Sequence, residues 1–446
     1  MRDMNLSYKL WASLESKTNL WLALILLISL GLRLILPAGV TGSEGRSRWY
    51  RIAERVAEGR GFTLCWPEYF PFCSDDNEQT ATAEPVPILV YAGFITWLGN
   101  ENGQEGISGQ AIIIFQTILG LATILLLYKT VMYLFDHRPT ALLAAFLWGT
   151  YLPLITVERD LLSEAILMIF LMAGILSLLH GLHQGRAFTW VLAGLFLGLA
   201  ALSRSIVLYF IPLLIPFILL LSPLPIRRRL INAALLLGVV SLVLTPWVIR
   251  NARTFGGFIP GNTMTGYNLY RHNHIVAGDN YLRYVFIKEV EQALKARIEQ
   301  GIREQRTDVR GDENEYEMDR LYRREALQII QAHPDRYLLL SLYRLIPLLT
   351  DFGVRIPLTP IWQWVGAETI VMFVLALIAV IRRRGAPYTM LPILALVMLV
   401  IAGYMLINAR IRFTLPVMPY VMALASDQCM YWGARIYEAR LIIVEQ

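Results

Sequence analysis

The sequence is poor in charge. Only 17% of its 446 residues are Asp, Glu, Lys or Arg, against roughly 25% in an ordinary soluble domain. By contrast, 56% of the residues are hydrophobic and the mean hydropathy is +0.50. A water-soluble protein has too little interior to hide so much apolar surface. The composition therefore excludes soluble, disordered and collagen-like classes and indicates an integral membrane protein.

Cysteine and lysine are also scarce. Three cysteines in a chain of this length exclude a small disulfide scaffold, and no Cys or His spacing is typical of a zinc site. A disulfide between Cys65 and Cys73 would close a short loop, and the bonded and the free state are both compatible with the sequence. Five cations are lysine, so 35 of the 40 are arginine. Genomic bias and bidentate phosphate binding would each explain such an excess.

Ten segments are long and apolar enough to be candidate membrane-spanning helices. They are residues 20–38, 111–135, 140–157, 161–180, 188–202, 206–221, 230–249, 361–381, 388–407 and 413–432. A further apolar stretch, 88–99, is too short to span and suits an interfacial or re-entrant helix. The predicted fold class is therefore an all-α integral membrane protein, with about ten transmembrane helices, interfacial helices and a helical outer-face region.

The arginine distribution orients these segments. The triplets at 227–229 and 382–384 fall on one side of the membrane, which the positive-inside rule assigns to the cytoplasm. Both termini then face the cytoplasm, and the long connections 39–110 and 250–359 lie outside. We expect a transmembrane core at 1–249 that includes the first outer loop, an outer helical region at 250–359, and C-terminal transmembrane helices at 360–446. Such a protein of the plasma (inner) membrane would work on its periplasmic or extracellular face.

The first outer loop holds two acids where the chain returns to the bilayer. Glu44 precedes a short amphipathic segment, and Glu84 is followed by Pro85, whose ring favours an extended backbone at the preceding residue. A loop glutamate commonly caps a helix or faces water. At a cavity on the membrane surface it would instead serve as a general base. Glu44 and Glu84 are therefore the candidate catalytic acids.

Arginine recurs at the outer ends of the predicted spans, where the positive-inside rule makes it less expected. Snorkelling or pairing with a nearby acid explains any single one, whereas the set together suits the phosphate of a lipid headgroup. The candidate ligands of a donor phosphate are Arg204, Arg250, Arg410 and Arg412. The candidates for positioning the substrate are Arg48, Tyr50, Arg159, Glu164 and Asn251.

An ordered set of short motifs carries a family resemblance over most of the chain. The motifs are Arg48-Trp-Tyr50, Gly59-Arg-Gly-Phe62, Ala83-Glu84-Pro85-Val-Pro87, Ser163-Glu164, Pro246-Trp247-Val-Ile-Arg250-Asn251, Gly266-Tyr-Asn-Leu-Tyr270, His333-Pro334-Asp-Arg336-Tyr337 and Arg412-Phe-Thr-Leu-Pro416. In this order they resemble the membrane-embedded C-type glycosyltransferases of the dolichyl-phosphate-mannose protein mannosyltransferase kind. The aminoarabinose transferase that modifies lipid A is a bacterial relative of the same kind.

The resemblance implies a glycosyltransferase that moves a hexose or pentose from a polyprenyl-phosphate donor to a lipid, glycan or protein acceptor. It also implies inversion and a site on the outer face. In that family an acid of the first outer loop commonly stands shortly before the tyrosine. This favours Glu44, the closest acid upstream of Tyr50. A divalent cation is compatible with this chemistry, although the sequence holds no metal-binding motif.

The expected partners are the lipid bilayer, the polyprenyl-phosphate sugar and an unidentified acceptor. Nucleic acid is not expected, because the outer region mixes charges of both signs. The sequence also lacks a glycine-rich nucleotide-binding loop, which fits a lipid-linked donor better than a nucleotide sugar. The alternative interpretation is a transporter or flippase of lipid-linked saccharides. Internal repeats and charges near mid-membrane would be typical of such a protein, whereas the charges here cluster at the ends of the predicted helices.

Overall fold

The computed structural model describes residues 17–36, 48–66, 73, 77–100, 105–279, 281–282, 313–350, 360–383 and 390–445. In this part of the chain the secondary structure is helical apart from a single antiparallel bridge between Thr63 and Gln79. The predicted all-α class is therefore confirmed. The candidate acid Glu44 lies outside the described residues.

Seventeen α-helices occur within the described ranges. They are α1 (Thr18–Ile35), α2 (Arg48–Ala57), α3 (Pro85–Leu98), α4 (Ile107–Phe135), α5 (Arg138–Thr150), α6 (Leu152–Arg159), α7 (Glu164–Gln184), α8 (Ala187–Ala201), α9 (Ile206–Pro216), α10 (Ile226–Phe255), α11 (Thr265–Asn273), α12 (Glu315–Ala332), α13 (Pro334–Tyr343), α14 (Leu345–Thr350), α15 (Pro360–Arg382), α16 (Leu391–Ile407) and α17 (Met418–Glu445). A π-helical turn, Phe217–Leu221, continues α9. A 3₁₀ turn, Ile411–Thr414, stands between α16 and α17.

Five of the described helices are long and apolar enough to cross a membrane: α1, α4, α7, α10 and α15. Each coincides with a predicted span. The predicted spans 188–202, 206–221 and 388–407 correspond to α8, α9 and α16, which are apolar but shorter. The interfacial segment predicted at 88–99 corresponds to α3, which has 14 residues.

The segment predicted as one span at 140–157 is bent. Helices α5 and α6 meet at Tyr151 at an angle of 47°, because Pro153 has no N–H to donate to the carbonyl of Gly149. That carbonyl instead accepts a hydrogen bond from the Ser29 hydroxyl of α1 at 2.7 Å. The lost helical bond is thus replaced by a bond to a neighbouring helix.

The span predicted at 413–432 also begins later than expected. Residues 411–414 form the 3₁₀ turn, and α17 starts only at Met418. Pro416 lies between them and cannot continue a helical hydrogen-bond ladder. As a result, Arg410 and Arg412 lie in the connection between α16 and α17, Arg410 just before the 3₁₀ turn and Arg412 within it.

A buried ion pair connects α1 to α6. Arg33 Nε lies 2.7 Å from Glu158 Oε2, and both side chains are almost completely buried. Helix α4 passes close by: a Cβ atom on Gly120 would lie 2.2 Å from Glu158 Oε1, so only glycine fits there. Removing one partner of such a pair leaves an uncompensated charge and is strongly destabilising. Arg159, the last residue of α6, in turn donates a hydrogen bond to the carbonyl of Arg33.

Two apolar clusters make up the membrane core. The first joins α1 to α7 with α15 and α17, and the second joins α7 to α10 with α16. Helix α7 contributes to both clusters. Its first residue, Glu164, therefore lies where the two clusters adjoin.

Candidate functional site

Between α2 and α3, residues 62–64 pair with residues 78–80, and we call these two paired segments the hairpin. The amide of Leu64 donates to the carbonyl of Glu78 at 3.0 Å, and the amide of Thr80 donates to the carbonyl of Phe62 at 2.8 Å. Cys65 and Cys73 are joined by a disulfide with an S–S distance of 2.03 Å. Of the two states that the sequence allows, the structure has the bonded one. The hairpin leads directly into residues 81–84.

Arg250, at the end of α10, holds the base of this hairpin. Its guanidinium donates to the carbonyl oxygens of Phe62 (3.1 Å) and Thr80 (2.8 Å) and to the side-chain oxygens of Gln79 (2.6 Å) and Asn251 (2.9 Å). It also lies 5.2–5.5 Å from three aromatic ring centroids. Asn251 donates to the carbonyl of Ile259 at 3.0 Å. In this structure both residues are used to connect the loops around the site.

Glu84, the residue before α3, has two carboxylate oxygens in different environments. Its Oε1 accepts hydrogen bonds from the Ser205 amide (2.9 Å), the Ser205 hydroxyl (2.7 Å) and the Asn262 side-chain amide (2.7 Å). Its Oε2 is buried and has no hydrogen-bond partner in the part of the chain that the structure describes. A buried acceptor without a partner costs about 1–3 kcal/mol. One oxygen is therefore held in place while the other is left to bind a proton donor.

The loop at 261–262 approaches Glu84 closely. A Cβ atom on Gly261 would lie 2.4 Å from the Ser205 hydroxyl oxygen, so a larger residue would displace the group that holds the carboxylate. Trp247 donates its indole N–H to the carbonyl of Gly261 at 2.8 Å. The three elements α3, α9 and the loop after α10 thereby meet at one carboxylate.

Arg204 directly precedes Ser205 and forms an ion pair with Glu164. The Glu164 carboxylate is almost completely buried, and the charge of Glu84 also acts on Arg204. Glu164 Oε2, like Glu84 Oε2, is buried without a hydrogen-bond partner within the described ranges. Two acids and one arginine thus lie together where α3 and α7 begin and α8 ends.

Arg412 completes a cationic cluster beside these acids. The charges that act on it come from Glu164, Arg410, Arg204 and Arg48. Arg204 and Arg412 lie over the ring of Phe413 at 5.4 Å and 5.2 Å. Tyr404 stacks on that ring at 4.5 Å. Cation–π contacts of this kind favour fixed guanidinium positions. We call Arg48, Arg204, Arg410 and Arg412 the arginine cluster.

The turn before Glu164 is fixed by polar side chains of α3 and α4. The Tyr91 hydroxyl donates to the carbonyl of Leu162, and the Gln116 amide donates to the carbonyl of Asp160 at 3.1 Å. The Tyr91 hydroxyl also lies 3.1 Å from Gln116 Oε1. A change in α3 would therefore move Glu164 as well as Glu84.

Two of the residues expected to position substrate, Tyr50 and Arg159, instead make contacts that hold helices and loops together. Tyr50 is completely buried, and its hydroxyl lies 3.3 Å from the side-chain oxygens of Asn100 and Ser108. Arg159 donates to the carbonyl of Arg33. By contrast, the structure brings Glu84, Glu164 and the arginine cluster together.

Three further residues of the site, Ser205, Asn262 and Phe413, were not predicted from the sequence. Ser205 follows Arg204 in Leu-Ser-Arg-Ser, and Phe413 follows Arg412, so each stood beside a residue that was identified. Asn262 is a polar loop residue 178 positions from Glu84, and no local pattern indicates that contact. No group of three or more His, Cys, Asp or Glu side chains that could hold a metal ion occurs among the described residues.

Helix α12 is joined to the site by Glu315. Its Oε2 accepts from the amide of Ala81 at 2.8 Å and from the hydroxyl of Thr263 at 2.9 Å. Burial raises the pKa of Glu315 from 4.5 to about 7, although hydrogen bonds and Arg250 act in the other direction. On the same helix, burial raises the pKa of Asp319 to about 6. The contact between α12 and the loops therefore contains a carboxyl that titrates near neutrality.

We expect this contact to weaken as the pH rises from about 4.5 to 7. Because the folded-state pKa of Glu315 is raised, its contribution to stability is complete below pH 4.5 and is lost as the pH rises to about 7. Between about pH 4.5 and 7, limited proteolysis of α12 should accelerate in the wild type and stay constant in Glu315→Gln, which keeps an acceptor oxygen. Glu325→Gln, on the same helix, is the matched control. A wild-type pH dependence in Glu315→Gln would assign the effect to another group.

Comparison with known proteins supports the class that these helices and side chains indicate. Residues 89–249 match the family model of dolichyl-phosphate-mannose-protein mannosyltransferase. The archaeal oligosaccharyltransferase AglB from Archaeoglobus fulgidus, solved with an inhibitory peptide and a dolichol-phosphate, superposes with a TM-score of 0.56 at 15% identity. That match covers 96% of this chain and 51% of AglB. An A. fulgidus oligosaccharyltransferase tethered to an acceptor peptide gives 0.54 at 16% identity, covering 91% and 48%.

The chain thus spans about half the length of these oligosaccharyltransferases. ArnT from Cupriavidus metallidurans, solved with undecaprenyl phosphate, gives a TM-score of 0.39 at 15% identity over 93% of this chain and 79% of ArnT. Curated protein sequences give no match. The chain has the fold of the membrane-embedded C-type glycosyltransferases, and the predicted resemblance is confirmed.

Proposed function

We propose that the protein transfers a hexose or pentose from a polyprenyl-phosphate donor to an acceptor, with inversion at the anomeric carbon. The observation that carries this proposal is that a candidate base lies beside a candidate phosphate site. Glu84 accepts from Ser205 with one oxygen and keeps the other buried and without a partner, while the neighbouring Arg204 belongs to the arginine cluster. The family match and the fold support the same chemistry.

The donor phosphate would lie against the arginine cluster. The Arg412 side chain makes no hydrogen bond or ion pair among the described residues, and its Nε is buried. An arginine in that state is suited to a phosphate ligand, because guanidinium binds phosphate oxygens bidentately and stays charged. Glu164 would hold Arg204 in place for the same ligand. Arg250 and Asn251, whose hydrogen bonds go to the loops, would support the site without contacting the phosphate.

The proton would go to Glu84 Oε2. The acceptor hydroxyl or amine loses its proton to this oxygen as it attacks the anomeric carbon, and the bond between that carbon and the phosphate oxygen breaks with its electron pair on the phosphate. The arginines stabilise the negative charge that develops there, which is commonly a large part of catalysis. A single displacement of this kind inverts the configuration. Ser205 and Asn262 would orient the base.

Glu44 is kept as a second candidate for the base, because the resemblance favours an acid upstream of Tyr50. In that case Glu84 would orient the acceptor through the same oxygen. The two assignments differ in which substitution removes turnover, and the comparison of Glu44→Gln with Glu84→Gln decides between them.

The same proposal assigns the site to the periplasmic or extracellular face of the plasma (inner) membrane. The disulfide between Cys65 and Cys73 supports this, because disulfides persist mainly in oxidising compartments. The arginine triplets at 227–229 and 382–384 support it as well, since cytoplasmic connections carry an excess of arginine and lysine.

The test is a donor panel. Purified protein is incubated with polyprenyl-phosphate hexoses and pentoses and with envelope lipids and glycans as acceptors, and release of polyprenyl phosphate is followed. We expect release with at least one donor and retention of the sugar on an acceptor. Binding of donors without release, together with movement of labelled lipid-linked sugar across a liposome membrane, would favour the flippase alternative instead.

A further inference from the structure

One carboxylate oxygen joins the two loops that meet beside the proposed base. Oε2 of Glu315 accepts from the Ala81 amide at 2.8 Å and from the Thr263 hydroxyl at 2.9 Å. The amide of Thr263 also donates to the carbonyl of Ala81 at 3.0 Å. Ala81 and Thr263 are each only 1% exposed. The three residues therefore form a closed set of hydrogen bonds, and its two loop members are buried.

Each of these loops continues directly into the proposed base or into one of its ligands. Ala81 lies three residues before Glu84 in a buried segment. On the other loop, Asn262 directly precedes Thr263. The side-chain amide of Asn262 donates to Glu84 Oε1 at 2.7 Å, and its side-chain oxygen accepts from the Met264 amide at 3.0 Å. The orientation of Asn262 thus depends on the course of the chain through Thr263.

Helix α12 holds Glu315 in a fixed place. Glu315 is the first residue of the helix, and Asn314 before it forms a capping box with Glu317, which supplies acceptors for free amides of the first turn. One turn further, Asp319 accepts from two amides of the first turn of α11, at 2.6 and 3.1 Å. A Cβ atom on Gly266 would lie 1.9 Å from the carbonyl oxygen of Asp319, so only glycine fits there. Glu315 and Asp319 are four residues apart and therefore lie on one face of α12.

The same face of α12 also makes apolar contacts with α11. Met318, Tyr322 and Ala326 are buried in one cluster with side chains of that helix. The ring of Tyr322 lies 5.2 Å from the ring of Tyr267 and 5.4 Å from the ring of Tyr270. Helix α12 therefore keeps contacts to α11 when Glu315 is replaced.

The other side of Glu84 is fixed independently of α12. The amide of Val86 donates to the carbonyl of Leu202 at 3.1 Å, and Ser205 donates to Glu84 Oε1 with its amide and its hydroxyl. Replacing Glu315 would leave these bonds in place and would leave a buried amide and a buried hydroxyl of the loops without their acceptor. We therefore expect the carboxylate to be displaced rather than lost.

We propose that Glu315 is a positioning residue for Glu84. It acts through Ala81 on one loop and through Thr263, next to Asn262, on the other. This inference rests on the proposed function. The role needs an acceptor oxygen rather than a charge, because both donors are neutral groups. Glu315→Gln should therefore preserve the role, whereas Glu315→Ala should abolish it.

The test measures turnover and donor affinity on the purified full-length protein. Glu315→Ala should lower kcat by about 10–100-fold, as a misplacement of about 1 Å does, and leave donor affinity close to that of the wild type. Glu315→Gln should keep kcat close to the wild-type value, since its amide oxygen still accepts both bonds. Gln328→Ala is the matched control, because Gln328 is an exposed residue of the same helix, and it should leave both quantities unchanged. Equal losses of kcat in Glu315→Gln and Glu315→Ala would contradict the proposed role.

A double substitution separates positioning from a general loss of stability. If Glu315 acts through Asn262, the loss of kcat in Glu315→Ala combined with Asn262→Ala is smaller than the product of the two single losses. A combined loss equal to that product would overturn the proposal, as would an unchanged kcat in Glu315→Ala. Thr263→Val, which removes one of the two donors, gives the same comparison if Glu315→Ala does not fold. A wild-type protein that turns over none of the donors would overturn the proposed function and this inference with it.

Discussion

Glu84→Gln should lower turnover by about 10²–10⁴-fold and leave donor binding unchanged. The size is that of a lost general base. Glutamine keeps an oxygen that accepts from Ser205 and Asn262, so the hydrogen bonds that hold this side chain at 2.7–2.9 Å survive. What is lost is the second carboxylate oxygen, which is buried and has no partner within the described part of the chain. Single-turnover rates and donor affinity, measured on the same preparation, separate the two effects.

The matched control is Glu78→Gln, an exposed acid of the hairpin before Glu84, which should keep normal turnover. Asn262→Ala removes one of the contacts of Glu84 and should lower turnover by less than the loss of the carboxylate itself. Glu44→Gln is assayed in parallel. Normal turnover in Glu84→Gln with a large loss in Glu44→Gln would make Glu44 the base. Normal turnover in both would shift the assignment to Asp160 and Glu164.

Hydropathy predicts the helices of this protein well but not their breaks. A window average locates α4 and α7 because each is apolar over more than 20 residues. The bend between α5 and α6 depends on one proline and on the Ser29 hydroxyl that takes over the free carbonyl. A sliding average of hydropathy contains no information about either the proline or the hydrogen bond. The late start of α17 has the same cause, a local backbone requirement at Pro416 inside an apolar stretch.

The candidate site was likewise predictable from the sequence only in part. Chemistry and position along the chain were enough to select Glu84, Glu164, Arg204 and Arg412 as candidates, because acids and arginines at the ends of membrane helices are costly without a function. The same criterion selected Arg250, whose partners lie 170 and more positions away in the hairpin. Whether an arginine is engaged by protein carbonyls or is left for a ligand is decided by tertiary contacts.

That distinction predicts opposite behaviour for Arg412 and Arg250. Arg412→Ala should weaken donor binding or transition-state stabilisation by about 1.5–3 kcal/mol, the worth of a charge-assisted bidentate contact, which is roughly 10–150-fold. Arg412→Lys should rescue little, because lysine keeps the charge and loses the planar fork. Arg204→Ala is less informative, since it would also leave the Glu164 carboxylate buried without its ion-pair partner.

Arg250→Ala should instead act on the loops. It removes the bonds to the carbonyls of Phe62 and Thr80, so we expect lower thermal stability and faster proteolysis of the hairpin. In protein that remains folded, donor affinity should change less than in Arg412→Ala. Donor affinity by equilibrium binding, set beside thermal unfolding of the same two variants, provides the comparison. A folded Arg250→Ala protein that loses donor binding as Arg412→Ala does would put Arg250 in the phosphate site and contradict the division drawn from its hydrogen bonds.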